Sequence, residues 1–129
     1  MRTTNFNFIT RAFIGTAALT ALSITAQAAE PFGTWIRPST GAQLSFYDCG
    51  GKLCAKVVGV KDQSKKDMVG KVIMTGAAKS GDNAWKGDLL NLEDGQTYSG
   101  TITLLSASAL NLKGCVLGGL ICKDETLTK

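Results

Sequence analysis

The second half of the chain alternates apolar and polar residues over short stretches. Residues 101–104 read Thr-Ile-Thr-Leu, and residues 110–113 read Leu-Asn-Leu-Lys. An alternation with a period of two is typical of a strand that buries one of its faces. No segment after residue 28 keeps a helical period over ten or more residues, and Gly76–Lys79 has room for one helical turn at most. The pattern therefore predicts an all-β domain.

Turn-forming residues divide this domain into eight candidate strands. The dividing segments are rich in Gly, Pro, Asn, Asp and Ser, which are the usual turn formers. Short strands in regular succession predict an antiparallel meander. Such a sheet tends to close into a small up-and-down barrel, which removes its exposed edges, and a two-sheet sandwich is the alternative. The candidate strands are Gly33–Arg37, Gln43–Cys49, Leu53–Lys61, Val69–Thr75, Ala84–Leu92, Thr97–Leu105, Ala109–Cys115 and Leu120–Thr128.

The N-terminus has a different pattern. Arg2 and Arg11 precede the apolar run Ala12–Ile24, and small residues follow at Ala26 and Ala28. This layout predicts a secretory signal peptide over residues 1–28. The run is shorter than the roughly 18–20 apolar residues that a membrane-spanning helix needs. We therefore expect one exported domain, residues 29–129, which is periplasmic or secreted and does not span the membrane after cleavage.

Charge changes this interpretation little. The formal net charge is +4, and two of the basic residues lie in the predicted signal peptide. So weak a positive charge argues against a nucleic-acid partner. Several lysines cluster between Lys61 and Lys71, but Asp62 and Asp67 interrupt them. We interpret this cluster as a solvated loop, with a dedicated anion site as the alternative.

All four cysteines lie in the predicted mature domain, at Cys49, Cys54, Cys115 and Cys122. An even number of cysteines in a small exported chain indicates disulfides. A four-thiolate zinc site would need reduced thiols, which an oxidising compartment disfavours. A redox centre usually has two residues between its cysteines, whereas these pairs have four and six. We predict two structural disulfides, with zinc and redox sites as the alternatives.

Hairpin geometry favours joining each cysteine to its nearer neighbour. If Gly51 and Lys52 form a two-residue turn, Cys49 lies opposite Cys54 at a non-hydrogen-bonded pair, where Cα atoms are about 4.5 Å apart. A disulfide tolerates that separation. The later pair reaches the same geometry if its loop has four residues, Leu117–Leu120. Each bridge closes a short ring and is expected to stabilise the fold by roughly 2 kcal/mol.

Several short motifs also occur in a characteristic order. They are Gly33-x-Trp35, the hairpin with Cys49 and Cys54, Trp85-x-Gly87, Asp94-Gly95-x-Thr97-Tyr98 and Leu110-x-Leu112-x-Gly114. By these motifs the chain resembles domain-of-unknown-function family 2147, a family of exported bacterial proteins. The resemblance implies a lipocalin-like β-barrel whose first strand opens with the Gly-x-Trp motif. It also implies a basic residue late in the chain, Lys123 or Lys129, that packs over Trp35. It implies no established activity.

Candidate catalytic residues are few. The chain has no histidine, and it has neither a Gly-x-Ser-x-Gly signature nor a phosphate-binding loop. The neighbouring carboxylates Glu93 and Asp94 precede Gly95, and we interpret them as part of a hairpin turn. We therefore predict that the protein is not an enzyme and holds neither a metal nor a cofactor. The alternative is an enzyme that uses carboxylates or lysines, with Asp48, Asp88 or Lys56 as candidates.

Aromatic residues remain as candidates for a binding site. An eight-stranded barrel is either filled by side chains or has space for one small ligand. Core packing is the default for aromatic residues, but Trp35, Tyr47, Trp85 and Tyr98 are also candidates to line a small cavity for an apolar or amphipathic ligand. The alternative function is a structural or interaction protein with a filled barrel and an envelope partner.

Overall fold

A computed structural model describes residues 30–129, so the predicted signal peptide lies outside the described residues. Eight strands follow one another along this part of the chain. They are β1 (Gly33–Ile36), β2 (Gln43–Asp48), β3 (Leu53–Gly59), β4 (Val72–Gly81), β5 (Ala84–Leu90), β6 (Thr97–Ser106), β7 (Ala109–Val116) and β8 (Ile121–Thr128). Two short 3-10 helices, Gln63–Met68 and Leu117–Gly119, lie between strands.

The strands form a closed antiparallel barrel in sequence order. The closing contact joins β1 to β8, where Ile36 pairs with Thr128. This closure confirms the up-and-down barrel and decides against a two-sheet sandwich. Among the described residues, no helix has the length and apolar character needed to cross a membrane.

Alternate residues of each strand face the barrel interior. On β2, for example, Leu44 and Phe46 are buried, whereas Ser45 and Tyr47 are half-buried on the other face. The core continues around the barrel through buried aliphatic side chains of β3, β4, β6, β7 and β8. The predicted period of two is therefore the period on which the interior is built.

The bounds predicted for the fourth strand, Val69–Thr75, were wrong. The strand is Val72–Gly81, so Gly76–Lys79, which had room for one helical turn at most, belongs to β4. Ala77 is fully buried and pairs with Leu53 of β3, and the next residue, Ala78, pairs with Lys86 of β5. Strand pairing on both sides and this burial outweigh the local helix propensity of two alanines.

The lysine-rich segment between β3 and β4 contains a 3-10 helix that the sequence pattern did not indicate. Asp62 caps the helix, because its side chain accepts a hydrogen bond of 3.0 Å from the amide of Ser64. The hydroxyl of Ser64 donates to the same carboxylate at 2.7 Å. The segment is short and has no buried residue, so hydrophobic periodicity could not have revealed it.

The bridge between Cys49 and Cys54 is present, but the predicted register of its hairpin was wrong. The turn consists of Gly50 and Gly51, and the amide of Cys49 donates to the carbonyl of Lys52 at 2.9 Å. Both glycines have positive φ, 76° and 85°, as the favoured two-residue hairpin turn requires. A turn at Gly51 and Lys52 would require a positive φ at a lysine, whereas Gly50 and Gly51 adopt positive φ without strain. The turn therefore lies one residue earlier, and the cysteines lie diagonally, with Cα atoms 5.9 Å apart.

The second bridge agrees with the prediction in both partners and loop length. Cys115 lies directly opposite Cys122 on the β7–β8 hairpin, with Cα atoms 4.0 Å apart. Val116 pairs with Ile121, which leaves a loop of four residues, Leu117–Leu120. Two disulfides in a domain of this size are typical of proteins that fold in an oxidising compartment outside the cytoplasm.

The meander gives the barrel two distinct ends. What we call the closed end carries residues 31–32 and the tight turns 49–52, 82–83 and 107–108. What we call the open end carries the longer connections at residues 37–42, 60–71, 91–96 and 117–120. The candidate site lies at the open end.

Candidate functional site

The closed end is sealed by Trp35, whose side chain is fully buried. Its indole nitrogen donates a hydrogen bond of 2.8 Å to the carbonyl of Pro31. The ammonium group of Lys129 lies 4.8 Å from the centre of the Trp35 ring and donates to the carbonyl of Phe32 at 2.7 Å. Lys129, and not Lys123, is therefore the basic residue over the tryptophan that the resemblance implied.

Three glycines lie side by side on the inner face of β5, β6 and β7. Gly87 pairs with Gly100, and Gly100 pairs with Gly114. A Cβ atom at Gly87 would lie 2.7 Å from the Cα atom of Ala77, and one at Gly100 would lie 3.0 Å from the carbonyl oxygen of Gly87. At Gly114 it would lie 3.3 Å from the Cβ atom of Tyr98. This glycine row lets β4 and the Tyr98 ring approach the sheet closely.

Between the core and the open end the barrel is hollow. The cavity has a volume of about 830 Å³, which is within the range of small-molecule sites, about 300–1,000 Å³. Apolar side chains form most of its inner wall, and polar and charged residues form its rim. The inner wall includes Leu44, Val57, Met68, Ile73, Leu89 and Leu112.

An ion pair braces one side of the rim. The guanidinium Nε of Arg37, after β1, donates to Glu125 Oε1 on β8 at 2.9 Å, and the amide of Ser39 donates to Glu125 Oε2 at 2.9 Å. Burial by itself raises the pKa of Glu125, but the hydrogen bonds from Ser39 and the charge of Arg37 outweigh it, so the net pKa is lowered. Glu125 is therefore held ionised in the rim.

Tyr98 contributes the aromatic part of the lining. It lies on β6 beside Leu89, and its hydroxyl donates to Asp94 Oδ2 at 2.6 Å. The hydrogen bond from Tyr98 is the main cause that lowers the pKa of Asp94, and the same bond raises the pKa of Tyr98. Asp94 also accepts from the amide of Gln96 at 2.8 Å, as expected for a turn residue. Tyr98 is thus fixed in position by its own turn.

Of the four aromatic residues predicted to line a site, Tyr98 lines the cavity. Trp35 lies in the core at the closed end, and Trp85 packs partly buried against the same core with the Lys79 ammonium 5.7 Å from its ring centre. Tyr47 faces outward, with the ammonium of Lys56 5.6 Å from its ring centre. The structure therefore does not bring the four together, and a role in binding stays a prediction for each.

The candidate catalytic residues are likewise dispersed. Asp48 accepts a hydrogen bond of 3.2 Å from the amide of Gly51 in the β2–β3 turn. Lys56 on β3 and Asp88 on β5 are exposed, and β4 lies between their strands. Within residues 30–129, no group of three or more cysteine or carboxylate side chains is arranged to hold a metal ion.

Sequence reasoning missed most of the cavity. Arg37 and Glu125 are 88 positions apart, and neither stands in a motif that indicates the other. Leu89 and Leu112 belong to predicted strands, but the pattern shows only that they face inward, not that the space between them is empty. One signal existed: Gly114, a motif residue, lines the cavity, but its neighbours there follow only from the strand register.

Residues 33–129 match the family described as "Uncharacterized protein conserved in bacteria (DUF2147)". The chain belongs to this family. Among solved structures, the barrel is similar to protein HP1028 from the human pathogen Helicobacter pylori, which is described as belonging to the lipocalin family. The TM-score is 0.68 at 20% sequence identity, over 79% of this chain and 84% of that chain. This likeness shows a lipocalin-like fold. A search of curated proteins finds no match.

Proposed function

We propose that this protein is a non-catalytic, exported binding protein that holds a small amphipathic molecule in its barrel. The observation that carries the proposal is the cavity of about 830 Å³, with an apolar inner wall and a polar rim at the open end. Sites for small organic molecules are concave and mostly apolar, with a few polar groups that orient the ligand. The hollow interior favours ligand binding over the alternative of a filled barrel that serves only as a scaffold.

Two further features support an exported, non-catalytic role. The disulfides at opposite ends of the barrel are suited to an oxidising compartment. The carboxylates at the rim accept hydrogen bonds from neighbouring groups of the protein, so they are engaged in holding loops. We expect the ligand to enter tail first through the open end, because the closed end is sealed by Trp35.

A fluorescent probe tests this proposal directly. N-phenyl-1-naphthylamine is apolar, uncharged and brighter in an apolar environment, so we expect saturable fluorescence enhancement with the disulfide-bonded protein. Leu112→Trp places a bulky ring in the inner wall and should weaken probe binding at least about tenfold. Leu105→Trp adds the same ring to an exposed position and is the matched control.

The measurement has clear outcomes once circular dichroism shows that both variants keep the β fold. Loss of binding in Leu112→Trp with normal binding in Leu105→Trp supports a ligand inside the barrel. An absence of saturable probe binding to the native protein would refute the proposed function, and equal binding by both variants would place the probe outside the cavity and refute it as well.

A further inference from the structure

We propose that the ligand of this cavity carries an anionic head group, a carboxylate or a phosphate ester, and that Lys61 and Lys123 bind it at the rim. This inference rests on the proposed function and adds the chemical class of the ligand. It is carried by a difference between the acidic and the basic side chains that line the cavity.

Four acidic and four basic side chains line the cavity, so the count of charges favours neither sign. The acids are all engaged within the protein. Glu125 accepts from Arg37 and Ser39, and Asp62 accepts from the amide and hydroxyl of Ser64. The other two acids bind single partners: Glu93 accepts from Lys65 at 3.2 Å, and Asp124 accepts from Asn111 at 3.1 Å.

The basic side chains divide into two groups. Arg37 and Lys65 donate to Glu125 and Glu93, in the two salt bridges found within residues 30–129. Lys61 and Lys123 line the same cavity, and neither takes part in a salt bridge or a side-chain hydrogen bond in this part of the chain. The positive charge of Lys123 contributes to the lowered pKa of Asp94, but no hydrogen bond or salt bridge joins the two side chains. The two ammonium groups are therefore the strong donors that the rim leaves to a ligand.

The fold places both lysines at the rim. A Cβ atom at Gly41, which has a φ of 74°, would lie 2.9 Å from the Cβ and Cδ atoms of Lys61. The stem of Lys61 thus lies across the β1–β2 loop, in a place that a side chain at residue 41 would fill. Lys123 pairs with Gly114 of the glycine row, which puts it on the inner face of β8. The fold therefore determines where the stems of both lysines begin, on the β1–β2 loop side of the rim for Lys61 and on the inner face of β8 for Lys123.

The charge and hydrogen-bonding capacity of the two ammonium groups determine which head group the rim binds. An ammonium group donates hydrogen bonds and accepts none, so it complements an anionic oxygen and repels a cationic head group. Hydrogen bonds between ionised groups are shorter and stronger than those between neutral groups. The apolar inner wall takes the tail, and the two lysines take the head. The lysine-rich segment after β3 therefore includes part of an anion site, the alternative to a purely solvated loop.

Four amphiphiles with the same ten-carbon tail test the inference: decanoate, decyl phosphate, decan-1-ol and decyltrimethylammonium. Each competes with N-phenyl-1-naphthylamine at low ionic strength, below its micelle concentration or, for decan-1-ol, below its solubility limit. We expect the two anions to bind about tenfold more tightly than the alcohol, and the cation to bind most weakly. Added salt should reduce the advantage of the anions, because the rim is open to solvent.

Lysine variants assign the effect to residues. Lys61→Met and Lys123→Met keep a long apolar stem and remove the charge, and each should weaken decanoate binding about threefold to tenfold without changing decan-1-ol binding. Lys66→Met is the matched control, because Lys66 lies in the 3-10 helix next to this rim but does not line the cavity. It should leave both affinities unchanged.

The outcomes separate this inference from the proposed function. Equal affinity for decanoate and decan-1-ol would overturn the anionic head group and leave the binding cavity in place. Unchanged decanoate affinity in both Lys61→Met and Lys123→Met would overturn the assignment of the two lysines. If the probe itself does not bind, the proposed function fails and the inference fails with it. If the probe binds but none of the four amphiphiles displaces it, the inference fails alone.

Discussion

The two ends of this barrel are built from the same strands but differ in how they use their side chains. At the closed end Trp35 and Pro31 are fully buried, the exposed Lys129 places its ammonium group over the Trp35 ring, and tight turns join the strands. At the open end longer loops surround a hollow, and hydrogen-bonded charges replace apolar contacts. The β7–β8 hairpin at this end also exposes large aliphatic side chains, among them Leu120 at 84%.

The difference shows that in this small barrel the packed core and the candidate binding cavity lie at opposite ends. Dense packing contributes strongly to folding stability, and side chains that line a cavity lose the van der Waals contacts that packing would give them. The closed end therefore supplies more of the stability per residue, which leaves the open end able to remain empty. Changes to the packed side chains of the closed end should be measured as losses of folding free energy, whereas changes to the cavity and rim side chains of the open end should be measured mainly as altered binding and pH response.

The largest effect is expected at Trp35. Trp35→Ala removes a fully buried ring together with its contacts to Lys129 and Pro31, and it should lower the free energy of unfolding by about 3–5 kcal/mol. Guanidinium unfolding followed by far-ultraviolet circular dichroism measures the change. Leu120→Ala at the open end is the contrast and should stay within about 0.5 kcal/mol of the native value. Equal losses in both variants would contradict the division between the ends.

The two disulfides offer a second comparison, because one lies at each end. Replacing Cys49 and Cys54 together by alanine should cost about 2 kcal/mol, and so should replacing Cys115 and Cys122, since the closed rings are of similar length. Denaturant unfolding of each double variant gives the values. A much larger loss for one pair would show that packing at its end, and not chain entropy, determines its contribution.

The glycine row predicts the next effect. Gly87→Ala forces a Cβ atom to within 2.7 Å of the Cα atom of Ala77, so β4 must shift, at a cost of about 1–3 kcal/mol. Gly81→Ala is the matched control on the same sheet, because its new Cβ atom would meet Ala84 at an ordinary 3.7 Å. Thermal unfolding of both proteins compares them. A native-like Gly87→Ala variant would show that close approach of β4 is not needed.

The smallest effect concerns the ion pair at the rim. Glu125 has a folded pKa below its ordinary value of 4.5, so its ionised form stabilises the fold above that pH, and the contribution is lost as the pH falls through the folded value. Glu125→Gln should therefore be less stable than the native protein at pH 7, by on the order of 1 kcal/mol, and the difference should shrink below pH 4.5.

Urea unfolding at several pH values measures this dependence. Glu93→Gln is the control. The ion pair between Glu93 and Lys65 is more exposed to solvent than the pair between Glu125 and Arg37. Glu93→Gln should therefore lower the free energy of unfolding at pH 7 by less than Glu125→Gln does. A difference between native protein and Glu125→Gln that stays constant with pH would contradict the assigned charge interaction.

The sequence predicted well those features that depend on neighbours along the chain. The strands follow from the period of two and from turn residues, and both cysteine pairs follow from hairpins whose partners are few residues apart. The errors also arose locally, where neighbouring residues could serve equally well as a turn or as the end of a strand. Gly50 and Gly51 both accept positive φ, so the β2–β3 turn lies one residue earlier than predicted. Ala77 is buried in the sheet, so β4 continues beyond Thr75, where the predicted strand ended.

By itself, the sequence determined a meander of eight strands with two disulfide-bonded hairpins, because alternation and turn chemistry are encoded within a few residues. It favoured a closed barrel and left a two-sheet sandwich as the alternative, and the contact between β1 and β8 decided between them. Only the tertiary structure decided that the barrel is hollow at one end. A one-residue change of register would turn every side chain to the other face, so the alignment of Gly87, Gly100 and Gly114 is a property of three paired strands. The same holds for the rim, where Arg37 meets Glu125 because the barrel closes between β1 and β8.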